Sequence, residues 1–360
     1  MIAVICIGTI EPRAASAQQK LVKQICQLHD KNSDGRILKS EASGLLKSNF
    51  ARIDQNKDDV LDEKELIALA KWLQGDRSQK KPEDSSKSKT TESKVKRISD
   101  IPYRDGNNAW ILDLVMPDQD LEKNVDTSRP AIVFVHGGAW RIGDKADGIW
   151  SSYPEHFAKL GYVCISVNYR FTNEAPFPAC FEDCQCAVQW LRQNARKYNV
   201  DPNRIGAFGN SAGAHLVSLL GLSDVSKSGS GSRVNTSSLV HAVVAAATPA
   251  DFTNWSKKEL AQKGKLLAGD LSTLDQRAEL ASPAFQAHAN APPFLIIHGA
   301  KDELVPVSQG RTLAKALKTT GAKNVTLKIF PDAGHRVILQ HERQTLPMME
   351  QFFQKHLKHR

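Results

Sequence analysis

Arg204-Ile-Gly-Ala-Phe208, followed by Gly209-Asn210-Ser211-Ala212-Gly213, is the stretch on which the reading of this chain turns. The first five residues are strand-like, and 214–222 is an apolar helical run. The glycine-serine-glycine pattern therefore falls on a sharp strand-to-helix turn with Ser211 at its tip. A serine held there has its hydroxyl clear of the sheet. The flanking glycines suit a place where the backbone passes close to itself and a side chain would clash. The following helix aims its first N–H groups at any negative oxygen formed beside Ser211. Turns without chemistry also use Gly, Ser and Ala, so the strand before and the helix after carry the weight.

Outward from this turn, strand-like and helix-like runs alternate, which implies a mostly parallel sheet flanked by helices, an α/β fold. The predicted strands are 131–136, 163–168, 204–208, 242–247, 294–298 and 326–330. The predicted helices are 151–160, 181–198, 212–222, 308–319 and 346–357. Residues 111–115 fit an antiparallel edge strand, and Ser/Gly-rich 223–238 reads as a mobile surface loop. Residues 98–360 suffice for one large core.

Three further stretches lie just past predicted strands. His136-Gly137-Gly138-Ala139-Trp140 is a glycine turn whose N–H groups can face a substrate carbonyl. With the Ala212 N–H, Gly137 and Gly138 are the candidate oxyanion donors; one such donor contributes about 3 kcal/mol to a transition state. His136 itself is read as holding the loop. His298-Gly-Ala-Lys-Asp302-Glu303 places an acid at the carboxyl edge of the sheet, with Glu303 as the rival of Asp302. Phe330-Pro-Asp-Ala-Gly-His335 places a histidine at the same edge, suited to take and return a serine proton. His215 lies on the helix after Ser211 and is read as packing there. Trp140, Trp150, Tyr169 and Trp255 fall in or near loops at this edge, where they either stack on substrate or pack.

The order Ser211, Asp302, His335, each past a different strand, resembles the α/β-hydrolases. The chain is most similar to the hormone-sensitive-lipase-like branch and its bacterial feruloyl and acetylxylan esterase-like group. Supporting stretches include Ile111-Leu-Asp-Leu114, Val167-Asn-Tyr-Arg170, Asp201-Pro-Asn-Arg-Ile205 and Pro249-Ala-Asp251. The resemblance covers nearly all of 98–360. It implies the α/β-hydrolase fold and cleavage of carboxylic esters through an acyl-enzyme, with acetyl or feruloyl esters of polysaccharides among the implied substrates. An arylformamidase-like amidase and an inactive calcium-dependent binding protein remain as alternatives.

The N-terminal part reads differently. Asp30 to Glu41 is a twelve-residue loop with Asp30, Asn32, Asp34 and Glu41 at positions 1, 3, 5 and 12, Gly35 at position 6 and the Arg36 carbonyl at position 7. Asp54 to Glu65 repeats it with Asp54, Asn56, Asp58, the Val60 carbonyl, Asp62 and Glu65, but Asp59 replaces the glycine. Oxygen donors at this spacing suit a hard cation of six to eight ligands. The two loops resemble an EF-hand pair, which implies a small all-α domain over 18–76 that binds structural Ca2+, with none needed for catalysis.

Residues 77–97 carry eight Lys/Arg against three acids and almost no apolar side chain, and read as a flexible charged linker. They account for five of the net nine positive charges, so no nucleic-acid surface is inferred. No stretch is long and apolar enough for a membrane span. Residues 1–17 read as a signal peptide, with Ala15-Ser16-Ala17 as the cleavage pattern but no basic residue before Arg13, which points to a secreted or periplasmic protein. Cys180, Cys184 and Cys186 are clustered; buried helix thiols are preferred over a bridge or metal site. The partner expected is a small-molecule or polysaccharide ester.

Overall fold

The computed structural model describes 22, 25, 26, 29, 30, 32, 34–42, 46, 50, 53, 54, 56, 58–73, 95–118, 128–223, 236–253, 255, 266–269 and 271–358. The expected signal peptide, most of the expected linker and most of the 223–238 loop lie outside these residues. Two compact units divide the chain, Met1–Lys89 and Thr90–Arg360.

In the first unit, β1 (Ile37–Leu38) and β2 (Val60–Leu61) pair antiparallel, and α1 (Glu63–Leu73) follows. Ile37 pairs with Leu61, so the eighth residues of the two twelve-residue loops face each other. Ile37, Ala42, Leu46, Phe50, Leu61 and Leu66 form a small buried core.

The second unit is built on eight strands: β3 (Val95–Pro102), β4 (Ile111–Pro117), β5 (Arg129–Val135), β6 (Val163–Val167), β7 (Val200–Asn210), β8 (Ala242–Ala246), β9 (Phe294–Gly299) and β10 (Val325–Phe330). Their order is β10-β9-β8-β7-β5-β6-β4-β3. β4 runs antiparallel to both β3 and β6, and the other pairings are parallel. The helices are α2 (Ile149–Lys159), α3 (Ala179–Gln193), α4 (Ala212–Leu222), α5 (Leu274–Ala281), α6 (Val307–Thr319), α7 (Val337–Gln340) and α8 (Glu342–Phe353).

Alternation along the strands sorts side chains to two layers. Val133 and Val135 pack in one cluster with Leu191, Leu216 and Leu317, from α3, α4 and α6. Ile132 and Phe134 pack in the other with Phe157 and Phe353, from α2 and α8. Every residue of α4 is buried, as its all-round apolar sequence requires.

The structure shifts several expected bounds: α3 ends at Gln193 and not at 198, and β7 starts at Val200 and not at 204. The strand at 111–115 is interior, because β3 covers its free side. β3 begins at Val95, so the last three residues assigned to the linker belong to the sheet. Its sequence, Val-Lys-Arg-Ile-Ser-Asp-Ile-Pro, is polar because an edge strand buries little.

Candidate active site

Register gathers the site. Val135 pairs with Gly209, Asn210 with Ala246, Ala246 with Ile297 and Gly299 with Phe330. Parallel strands ending level deliver the loops at 136–140, 211, 300–306 and 331–335 to one edge of the sheet.

Ser211 has φ 57° and ψ −122°, a conformation that favours glycine. It costs about 1–3 kcal/mol and is held by close packing around the turn. A Cβ at Gly209 would lie 2.3 Å from the Gly213 carbonyl carbon, and one at Gly213 would lie 2.0 Å from the Val135 oxygen. The Ser211 N–H donates to Ala246 O at 2.8 Å, which ties the turn to the next strand.

His335 Nε2 is 2.9 Å from Ser211 Oγ. His335 Nδ1 is 2.8 Å from Asp302 Oδ2 and 3.0 Å from Oδ1. With a carboxylate on Nδ1, the proton belongs there, and the bare Nε2 accepts from the serine hydroxyl. The structure thus brings together Ser211, Asp302 and His335 from three strand ends. The rival Glu303 is exposed, and it is Asp302 that meets His335.

The Asp302 carboxyl is buried, which alone would push its pKa up. Hydrogen bonds from His298 and His335 and from the Val305 N–H, with the charge of His335, override burial and hold it below the usual carboxylate range. The Leu304 and Val305 N–H groups donate to Oδ1 at 3.0 and 2.8 Å. His298, which the sequence reading did not single out, donates from Nε2 to Val305 O at 2.9 Å and stands 3.5 Å from Asp302 Oδ2. Its position four residues before Asp302 was the only signal available.

Gly137 presses against the serine turn: a Cβ there would lie 2.8 Å from Asn210 O and 3.5 Å from the Ser211 Cβ. Gly138, Ala139 and Trp140 all have positive φ, 116°, 52° and 57°. The two non-glycines each cost about 1–2 kcal/mol there. The His136 ring is fully buried, stacks on Tyr169 with centroids 4.5 Å apart, and donates from Nδ1 to Gly137 O at 2.7 Å. Burial lowers its pKa to about 4, so the ring is neutral. It holds the loop, as expected.

Trp140 and Tyr169 are 1% exposed, so both pack and neither offers a stacking face to substrate. Trp150 stacks on Phe208 and Trp255 packs edge-on against Phe252. Three successive left-handed residues turn the Trp140 indole inward, which sequence alone does not reveal.

In the smaller unit, Gly35 has φ 80° and Asp59 has φ 61°, so both sixth loop positions take the left-handed turn. The Asp30 carboxylate accepts from the Asp34 and Gly35 N–H groups, and the Asp54 carboxylate from those of Asp58 and Asp59. Side-chain oxygens of both loops therefore turn inward, as a hard cation would need. Among the described residues, no three His, Cys, Asp or Glu side chains are gathered for a metal; the loops draw on amides and carbonyls as well. Cys180 and Cys184 are buried free thiols, and burial pushes Cys180 up to about 12.

Residues 112–317, more than half of the chain, match the BD-FAE family. The chain belongs to the BD-FAE family. This BD-FAE chain is 31% identical over 251 residues to esterase LipQ of Mycobacterium tuberculosis, covering 66% of this chain and 57% of LipQ. It therefore spans little more than half the length of that relative. Among solved structures, a truncated carbohydrate esterase from gut microbiota superposes with a TM-score of 0.64 at 28% identity, over 76% of this chain and all of that one. Esterase 2 of Thermogutta terrifontis, phosphorylated by paraoxon, superposes with a TM-score of 0.59 at 25% identity, over 74% of this chain and 94% of its own.

Proposed function

We propose that this BD-FAE chain is a serine hydrolase that cleaves carboxylic esters through an acyl-enzyme. The observation that carries the reading is the line Ser211 Oγ, His335 Nε2 and Nδ1, Asp302 Oδ2, with spacings of 2.9 and 2.8 Å. His335 takes the serine proton as Ser211 attacks the ester carbonyl, then returns it to the leaving alcohol. Asp302 keeps the imidazole in the required tautomer and stabilises its charged form. The tetrahedral oxyanion sits between the Gly137 and Gly138 turn and the Ala212 N–H, which the first turn of α4 leaves without an intrahelical acceptor. Water then enters along the alcohol's path, and His335 activates it to release the acid.

The likeness to a carbohydrate esterase supports acetyl or feruloyl esters of a polysaccharide as the substrate class. The loops at 30–41 and 54–65 are proposed as an EF-hand pair. Ca2+ would be held by Asp30, Asn32, Asp34, the Arg36 carbonyl and Glu41, and by Asp54, Asn56, Asp58, the Val60 carbonyl, Asp62 and Glu65. The inward-turned oxygens and the two left-handed sixth positions support this fit. Its role is structural. Residues 1–17 are proposed to direct the chain to the periplasm or outside the cell.

The test is hydrolysis of p-nitrophenyl acyl esters and methyl ferulate by the natural protein and Ser211→Ala. Turnover that vanishes in the variant is expected. Turnover of N-formyl aromatic amines without ester hydrolysis would replace the reading with an amidase. Failure of a fluorophosphonate to label Ser211 would replace it with a binding protein.

A further inference from the structure

His215 lies one turn beyond Ser211 on α4, and its N–H donates to Ser211 O at 3.0 Å. Its side chain is fully buried. Two contacts fix its tautomer without ambiguity. The Trp140 indole N–H can only donate, and it meets His215 Nδ1 at 3.1 Å, so Nδ1 is bare. The Ala281 carbonyl can only accept, and it stands 2.7 Å from Nε2, so Nε2 carries the proton. Burial lowers the pKa of the ring to about 4 and keeps it neutral.

The ring therefore joins three segments distant in sequence: the helix behind the serine, the glycine loop beside it and the end of α5. Trp140 closes the left-handed run that begins at Gly138. Upstream, that loop is held by His136 on Tyr169, whose hydroxyl donates to His136 O at 3.0 Å. Downstream, Thr172 N–H donates to Trp140 O at 2.9 Å, and the indole is held by His215. Without an acceptor at Nδ1, the indole N–H would be buried and unpaired, and turning outward would carry Gly137 and Gly138 with it.

We infer that His215 is a positioning residue for the oxyanion loop, acting through the Trp140 indole to hold the Gly137 and Gly138 N–H groups against Ser211. The inference rests on the esterase reading. His215 touches no reacting atom. Misplaced donors weaken the transition state more than the bound ester, so the effect falls on kcat and leaves KM nearly unchanged.

Two substitutions separate this role from plain packing. His215→Asn can present an oxygen where Nδ1 lies but cannot reach Ala281. His215→Gln can reach Ala281 but presents no acceptor at Nδ1. The experiment measures kcat and KM on p-nitrophenyl acetate, the melting temperature, and the rate of phosphorylation by paraoxon, for both variants and Trp140→Phe. Expected are a kcat within about threefold of wild type for Asn, and a fall of about 10- to 100-fold for Gln and Trp140→Phe with KM within about threefold. The double variant His215→Gln, Trp140→Phe is expected to lose no more than either alone. Equal losses in Asn and Gln, or losses that follow melting temperature alone, would overturn the inference. Paraoxon reacts with an activated serine whatever the natural substrate. Absent ester turnover with the ranking kept in the phosphorylation rate would therefore fault the substrate reading and not the role of His215.

Discussion

Gly209→Ala tests how tightly the serine turn is built. The added Cβ would lie 2.3 Å from both the carbon and the oxygen of the Gly213 carbonyl and 2.6 Å from the Ala214 nitrogen. All three are backbone atoms, so no side chain can rotate away. Ordinary carbon contacts begin near 3.5 Å, so the turn must open by about 1 Å. Ser211 Oγ stands 2.9 Å from His335 Nε2, and a shift of that size takes it out of hydrogen-bond reach. A misplacement of about 1 Å typically costs about 100-fold in rate, and forced overpacking about 1–3 kcal/mol in stability. Gly334→Ala is the comparison. It adjoins His335, yet its Cβ would meet only Lys301 O, at an ordinary 3.5 Å. The assay is kcat/KM on p-nitrophenyl acetate, corrected for folded protein by urea titration. The expected result is a loss of about 100-fold for Gly209→Ala and less than about threefold for Gly334→Ala. A Gly209→Ala enzyme within threefold of wild type would refute the argument, because the elbow would then have room that its backbone does not show.

Acid should unfold the hydrolase unit through its buried imidazoles. His136 and His215 fall from 6.5 to about 4 on burial, so the neutral rings add stability that is complete above pH 6.5 and lost as pH falls toward 4. The drop corresponds to about 3 kcal/mol for each ring. A urea midpoint that stays flat from pH 7 to 4.5, or an unchanged slope in His215→Asn, would contradict this. Asp302, held below its ordinary range, adds stability present above about pH 4 and lost below it; Asp302→Asn should remove that acid-side fall in melting temperature. Asp113→Ala should cost about 3 kcal/mol, since it strands the buried Lys145, whose Nζ lies 2.8 Å from the Asp113 carboxylate; a loss under about 1 kcal/mol would show that Asp100 suffices. Chelation of calcium should lower the melting temperature of the N-terminal unit and leave ester turnover intact; turnover that falls and returns with added calcium would refute a purely structural ion.

Much of the hydrolase unit is legible in sequence because its central strands are buried on both faces and read as unbroken apolar runs. The serine turn is legible because glycine is demanded where the backbone crosses itself. Asp302 and His335 are legible from their places after strands. What escapes is instructive. β3 carries Lys96, Arg97 and Asp100, whose charges suit an open edge and a tie to Asp113 and Lys145, and its Val95 to Arg97 end passes for linker. Trp140 stays open between substrate platform and packing because nothing local announces two left-handed non-glycines in succession. His215 passes for packing, and His298 draws no role, because their partners, Trp140 and Asp302, are known only once the loops are folded. Single residues announce covalent chemistry; the neighbours that hold them are visible only in three dimensions.

The three members of the proposed triad each sit within a few residues of a strand end. The long stretches between them, 223–241 and 247–293, hold no member of the proposed triad. Exchanging 247–293 for the matching stretch of a relative, with Ala250 and Ala281 kept in register, should transfer the taste for one acyl group or alcohol without redesigning the machinery that breaks the bond. A fold of this kind diversifies by rewriting what lies between its fixed points.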